Sequence, residues 1–490
     1  ENGETRTIEL DDADPTILTI DVQNGGILTN NGVAHTLTLA GTSGTLFTLG
    51  ASGTFTPSTF ISVVMNPDAA VTLTSGTITF NNLTLSPTIT VARIYTFGAG
   101  ALTIDGDFNI NPTAGSALAL TVNMGAAITV ATTGTTTVTR TTNATANLDT
   151  TATNYALTTG KINIATGGTL TSNSSAITLN ATSGTLWTQT GTHTASNSTV
   201  FIIPDASVTL TSSDNVNFRE LYLRPVITAD RIYTFGSGTI TIAGEFQARP
   251  DAGSAFRLTV NMGGAFSITS SSGCLYLNRL NSATLTFDTG ANYGLSAGGV
   301  QITTGATLNA NGSTITVSGN CAGGTTFQLT GIFTQGTSTV IMNPDSAVTL
   351  TSGTITFYNL TLSPTITAAR TYTFGSGALT INGDFMINPT AASAVALTVN
   401  MGAAITVAST KTTLITRTTS ATSILSGGSG NYIFSTGFVN VATGGTLQDA
   451  AGSKYTTFTL TGTSGTLFIL AGTFTAGTST VTYTGNNTGG

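Results

Sequence analysis

An all-β chain wound as a right-handed parallel β-solenoid is the fold class that this sequence predicts, with tandem β-sandwich domains as the alternative. Three observations predict it. A long passage is written three times: Arg93-Ile-Tyr-Thr-Phe-Gly98 returns as Arg231-Ile-Tyr-Thr-Phe-Gly236 and as Arg370-Thr-Tyr-Thr-Phe-Gly375. Tyr95, Tyr233 and Tyr372 thus stand 138 (233 − 95) and 139 (372 − 233) residues apart, so one structural unit recurs with almost no insertion. Only 7% of the residues are charged, where about a quarter is usual, and Thr makes up about a fifth of the chain. Finally, short apolar segments alternate with polar residues at a period of two and are separated by Gly-rich turns.

The strands of the first full repeat follow from that alternation. Thr77-Ile-Thr-Phe80, Leu83-Thr-Leu85, Tyr95-Thr-Phe97, Leu102-Thr-Ile104 and Leu120-Thr-Val122 each place one face toward a core and one toward water. Thr, Val and Ile favour such extended backbone, and helical periodicity is nearly absent. With 40% hydrophobic residues, the chain can bury a core and is not of the disordered class. A repeat of this length can also form a sandwich. The solenoid is preferred because no linkers separate the repeats and the Leu-Thr-Leu and Tyr-Thr-Phe triplets look interchangeable. Coils of ~20 to 25 residues would give about 20 coils.

The Gly/Ser/Asn-rich junctions divide the chain into an acidic segment, residues 1–35, that resembles the close of a repeat, then full repeats at 36–175, 176–313 and 314–453. A partial repeat at 454–490 resembles the opening of one. The column Phe47, Trp187, Phe327 and Phe468 fixes the register of these copies, and Val122-Asn-Met-Gly125 returns at Met262 and Met401.

At the Leu-Thr-Leu triplets and at Gly472-Thr-Phe-Thr475, the chain resembles the Thr-rich β-solenoid repeats of bacterial surface proteins, of the filamentous adhesin and autotransporter passenger type. That resemblance implies an extracellular structural or adhesive role and supplies no catalytic residues.

Charge narrows the function classes. Residues 1–35 hold seven acidic residues against Arg6, a balance of −6 within a total of −7. No basic stripe exists to neutralise phosphates, which argues against nucleic acid as a partner. No apolar run approaches the ~20 residues of a membrane-spanning helix. The sequence opens at Glu1 without a basic-then-apolar leader, so an exported, extracellular or cell-surface product is expected.

Sparse charges recur in every copy. Asp68, Asp205 and Asp345 each follow a Pro; Arg93, Arg231 and Arg370 come 25, 26 and 25 residues later; Asp107, Glu245 and Asp384 come 14 after that. A gap near one coil predicts an Asp–Arg ion pair between neighbouring rungs, serving register more than stability. Cys274, in the second full repeat, and Cys321, early in the third, each sit where the other repeats have no Cys and form a candidate disulfide. The middle repeat also carries 13 charged residues against 7 and 6 in its siblings. Arg219, Tyr222 and Arg224 are its candidate contact patch, Tyr and Arg being residue types that anchor interfaces.

No cofactor is expected. Asp11, Asp12 and Asp14 offer hard oxygen ligands for calcium, but neither EF-hand nor β-roll spacing surrounds them. Only His35 and His193 occur, which leaves little material for nucleophilic catalysis. The sequence therefore points to a secreted, non-catalytic structural subunit of a bacterial surface filament or stalk that self-associates through its ends. Its alternative is a glycan-binding adhesin or fibre, and regular Thr-x-Thr arrays raise ice binding as a third reading.

Overall fold

The computed structural model describes residues 6–10, 14–30, 32–56, 61–449 and 456–485. Within these residues every regular element is a strand, and every strand pairing is parallel. The coils amount to about 18 turns of β-solenoid counted over both compact units. One unit comprises residues 1–227 with 231–238, and the other 228–230 with 239–490.

A coil is built from three strands. In the first unit, Ala119–Asn123, Ile128–Val130 and Thr135–Val138 make one coil, and Thr145–Asp149, Leu157–Thr159 and Lys161–Ile164 make the next. Each strand pairs with its counterpart one coil away: Val122 with Leu148, Thr129 with Thr158, and Val138 with Ile164. The alternation read in the sequence is the burial pattern: Leu120 and Val122 are buried on a strand where Ala119, Thr121 and Asn123 are half-exposed. Inward residues stack on one another in columns, such as Tyr95, Val122, Leu148, Leu170 and His193.

Coils vary more in length than the sequence suggests. Adjacent rungs lie as little as 20 residues apart, from Thr158 to Thr178, and as much as 29, from Thr129 to Thr158. The strands keep their length and the corners absorb the difference, so the turns are fewer than a 20 to 25 residue coil would give. Where a corner passes close to the coil below, only glycine fits. A Cβ on Gly125 would meet the Phe97 carbonyl oxygen, and one on Gly402 the Phe374 carbonyl oxygen, in each case far inside contact distance. The recurring Asn-Met-Gly therefore marks a place where two backbones touch.

A repeat is not a whole number of turns. In the first unit, Arg93–Phe97 pairs into the sheet that ends at Thr192–Thr194, whereas Arg231–Thr234 belongs to the sheet that contains Phe108–Ile110. Five ladder steps lead from Phe108–Ile110 to Arg231–Thr234. Phe108–Ile110 itself follows Arg93–Phe97 by two strands of the same coil. One repeat thus takes about five and two-thirds turns. The second unit does the same. There Arg257–Asn261 and its sequence counterpart Ala396–Asn400 stand in different sheets. Repeat boundaries and compact-unit boundaries need not coincide under such a geometry, and here the division falls inside the middle repeat.

One aromatic cluster recurs at the same place in each full repeat. Phe47 packs against Phe55 and Phe80, Trp187 against His193 and Phe218, and Phe327 against Phe333 and Phe357. Ring centroids of 4.8 to 5.5 Å in these six contacts are typical of tilted and edge-to-face pairs. The register column chosen from sequence, Phe47, Trp187 and Phe327, is the centre of each cluster.

Candidate functional site: a recurring coil-to-coil latch

The recurring charges meet where the sequence spacing places them. Arg93 Nε lies 2.7 Å from Asp68 Oδ1, Arg231 Nε 2.7 Å from Asp205 Oδ1, and Arg370 Nε 2.8 Å from Asp345 Oδ1. Each Asp sits in the turn after a strand, and each Arg opens the strand one coil later. Thr90 Oγ1 also donates to Asp68 Oδ2 at 2.6 Å, and Thr367 Oγ1 to Asp345 Oδ2 at 2.7 Å. The carboxylate therefore closes the turn that leads into the Arg strand as well as holding the Arg.

Two residues beyond each Arg stands a tyrosine. Tyr95, Tyr233 and Tyr372 are fully buried. Their hydroxyls donate to the carbonyls of Pro67, Pro204 and Pro344, the residues immediately before the three aspartates. Alternation along a strand accounts for the arrangement: residues i and i+2 share a direction in an extended chain, so Arg and Tyr leave the strand on the same side, the Tyr into the core and the Arg, at the strand's start, to the turn. Pro-Asp and Arg-x-Tyr together form a two-point latch between consecutive coils, with a charged contact at the surface and a neutral one in the core.

Electrostatics follow burial. The Arg93 guanidinium, with the Thr90 hydroxyl, holds Asp68 down to about 2. The Arg370 guanidinium lowers Asp345 in the same way, and Arg231 and Arg370 are raised by their carboxylate partners. Burial, helped by the nearby aspartates, pushes all three phenols far above the usual range. The tyrosines are thus fixed as neutral hydrogen-bond donors.

The third recurring acid stands apart from the latch. Asp107 Oδ1 accepts from the Thr135 N–H at 2.8 Å, and Asp384 Oδ1 from the Thr412 N–H at 3.0 Å; Glu245 occupies this place in the middle copy. Cys274 and Cys321 are bonded, with Cα atoms 5.3 Å apart. The bond passes over Gly299, whose missing side chain makes room: a Cβ there would meet Cys321 Sγ at 2.7 Å. Of the contact-patch residues, Arg224 places its guanidinium 4.4 Å from the centroid of the Tyr222 ring and 5.5 Å from that of Phe201. Arg219 lies at the corner before that strand and is half-exposed.

His193 is enclosed rather than presented. It is buried between Trp187 and Phe218, with ring contacts of 4.8 and 6.2 Å. Its Nδ1–H donates to the Asn217 carbonyl at 2.8 Å, which leaves Nε2 to accept from Ser172 Oγ at 2.9 Å. Burial lowers its pKa to about 4. Neighbouring polar groups join the network: Trp187 Nε1 donates to Gln189 Oε1, and Gln189 Nε2 donates to Asn217 Oδ1.

Among the described residues no group of three or more His, Cys, Asp or Glu side chains is placed to hold a metal ion. Asp11 and Asp12 lie outside the described residues, and Asp14 accepts a hydrogen bond from the Thr36 N–H at 2.7 Å. No described helix is long and apolar enough to cross a membrane. No family model matches this chain, and no match was found among the curated proteins or the solved structures.

The sequence spacing located the Asp–Arg half of the latch and missed the Tyr–Pro half. The signal was present: Tyr95 follows Pro67 by 28 residues, Tyr233 follows Pro204 by 29, and Tyr372 follows Pro344 by 28, one coil in each case.

Proposed function

We propose that the chain is a secreted, non-catalytic structural subunit of a bacterial surface filament or stalk, assembling through its ends. The observation that carries this reading is the latch. The sparse charged residues that recur in every copy are engaged in binding one coil to the next. The fractional turn per repeat supports the same reading. Successive copies bring their recurring residues to different sheets within each unit, so repetition does not build one uniform face, as binding to a flat lattice would require.

Assembly through the ends rests on the last described coil. Phe468–Leu470, Thr473–Thr475 and Thr480–Tyr483 each pair with the coil below. Their inward residues Phe468, Phe474 and Val481 are half-exposed, whereas Phe327 is fully buried and Phe333 is 8% exposed. Open parallel strand edges template further pairing, and a coil from a second copy is the partner proposed for them. Light scattering over a range of concentrations at neutral pH tests the proposal. Growth in mass with concentration is expected. A mass that stays at 49.5 kDa, with or without calcium, contradicts it.

A further inference from the structure

Equivalent outward positions of the three copies, which stand in different sheets, divide into sets that keep their character and one set that changes it. Of the outward columns, one keeps its hydroxyls: Thr103, Thr129 and Thr158 in the first copy, Thr241, Ser267 and Ser296 in the second, and Thr380, Thr406 and Ser435 in the third. Another keeps small polar groups: Asn123 and Asp149, then Asn261 and Asp288, then Asn400 and Ser426. A third set of outward positions changes character between copies. It holds Thr84, Asn109, Thr137 and Asn163 in the first copy, and Thr361, Met386, Leu414 and Asn440 in the third. The middle copy places Tyr222 there in the first unit, and Gln247, Tyr276 and Gln301 in the second, where the ladder runs on from Gln301 to Gln328 at the start of the next copy. Inward residues of the same strands stay apolar throughout, as with Phe108, Phe246 and Phe385. Packing of the inward face therefore does not explain the change.

In the second unit the middle copy's column is also braced. The disulfide joins Cys274, at the start of the Tyr276 strand, to Cys321, just before the Gln328 strand, and crosses Gly299 at the start of the Gln301 strand. Three consecutive rungs of the column are fixed by a bond that has no counterpart at the equivalent positions of the other copies. A preorganised row loses less entropy on binding than a mobile one.

We propose that the column Gln247, Tyr276, Gln301 and Gln328 is a binding site for a neutral polysaccharide lying along the ladder. The half-exposed Tyr276 ring offers an apolar face to the C–H groups of a pyranose. The carboxamides of Gln301 and Gln328, of a residue type that both donates and accepts, suit its hydroxyls. Rungs ~4.8 Å apart repeat at roughly the length of one sugar unit. The column carries no charge, which selects a neutral chain over a uronate or sulfated one. This proposal is independent of end-to-end assembly and stands or falls without it.

Titration of the full-length oxidised protein with β-1,4- and β-1,3-linked gluco-oligosaccharides and with an oligouronate, followed calorimetrically, tests the site. Binding of a neutral oligomer is expected, weakened about tenfold by Tyr276→Ala and several-fold by Gln301→Ala. Tyr276→Phe, Leu414→Ala and Thr137→Ala should leave affinity unchanged, and disulfide reduction should weaken it with the far-ultraviolet circular dichroism intact. Gln301→Ala preserves the test if Tyr276→Ala disturbs folding. Absence of binding to every neutral oligomer, binding of the oligouronate alone, or an equal loss with Leu414→Ala overturns the proposal.

Discussion

The Tyr233 hydroxyl donates to the Pro204 carbonyl at 2.6 Å, while Arg231, two residues earlier on the same strand, reaches Asp205 at 2.7 Å. The same turn is gripped from the core and from the surface, and the two grips differ in strength. A buried carbonyl deprived of its donor costs about 1 to 3 kcal/mol, whereas an exposed ion pair contributes ~0 to 1 kcal/mol. Tyr233→Phe should therefore destabilise the chain more than Arg231→Ala, and the denaturant midpoint of each variant checks the order. Hydrogen exchange at the rungs around Val208 and Tyr233 should accelerate in the Tyr233→Phe variant before it does elsewhere.

Acid should loosen the middle repeat first. His193 titrates near 4 in the fold because it is buried, against about 6.5 when unfolded. The unfolded chain thus binds the proton more tightly, so this residue makes stability rise with pH between about 4 and 6.5 and remain level above. Asp68, lowered to about 2, acts in the same direction lower down: its contribution is full above about 3.8 and is lost as pH falls through about 2. His193→Phe, which restores the residue type of Phe55 and Phe333, should flatten the stability profile between pH 4 and 6.5. It should also lower stability at neutral pH, because the Asn217 carbonyl and Ser172 lose their partner.

The disulfide should matter for stability as well as for the outward column. A loop of 47 residues closed by a covalent bond contributes about 4 kcal/mol on the chain-entropy account. Reduction should lower the melting temperature, and Cys274→Ala with Cys321→Ala should lower it similarly. Gly299→Ala should be worse than an ordinary exposed substitution, because its Cβ would sit 2.4 Å from the Cys321 backbone nitrogen.

Gly125→Ala and Gly402→Ala should each destabilise the chain severely, since the added carbon collides with a carbonyl of the coil below and backbone cannot yield as a side chain can. Expression of soluble, cooperatively melting protein from either variant would contradict the close approach of those corners.

Strand positions, parallel stacking and the Asp–Arg pairs were legible because they follow local rules. Alternation at a period of two sets which side chains are buried, and a charge gap of about 25 residues matches one coil. The fractional turn was not legible. It depends on corner lengths that range over nine residues, from coils of 20 to coils of 29, and no periodicity in the sequence records their sum. The Tyr–Pro contact escaped because a buried tyrosine reads as core until its hydroxyl is given a partner. The enclosed His193 network escaped because Trp187 and His193 substitute residue by residue for phenylalanines in the sibling copies, and only packing shows that their polar atoms are satisfied.

Negative-stain electron microscopy of the purified chain at rising concentration tests the central claim, that this is a latched structural solenoid which assembles through its ends. Unbranched filaments of constant width, lengthening with concentration and shortened by a charged substitution at Phe474, are the predicted result. Discrete particles of a single size at every concentration would contradict it.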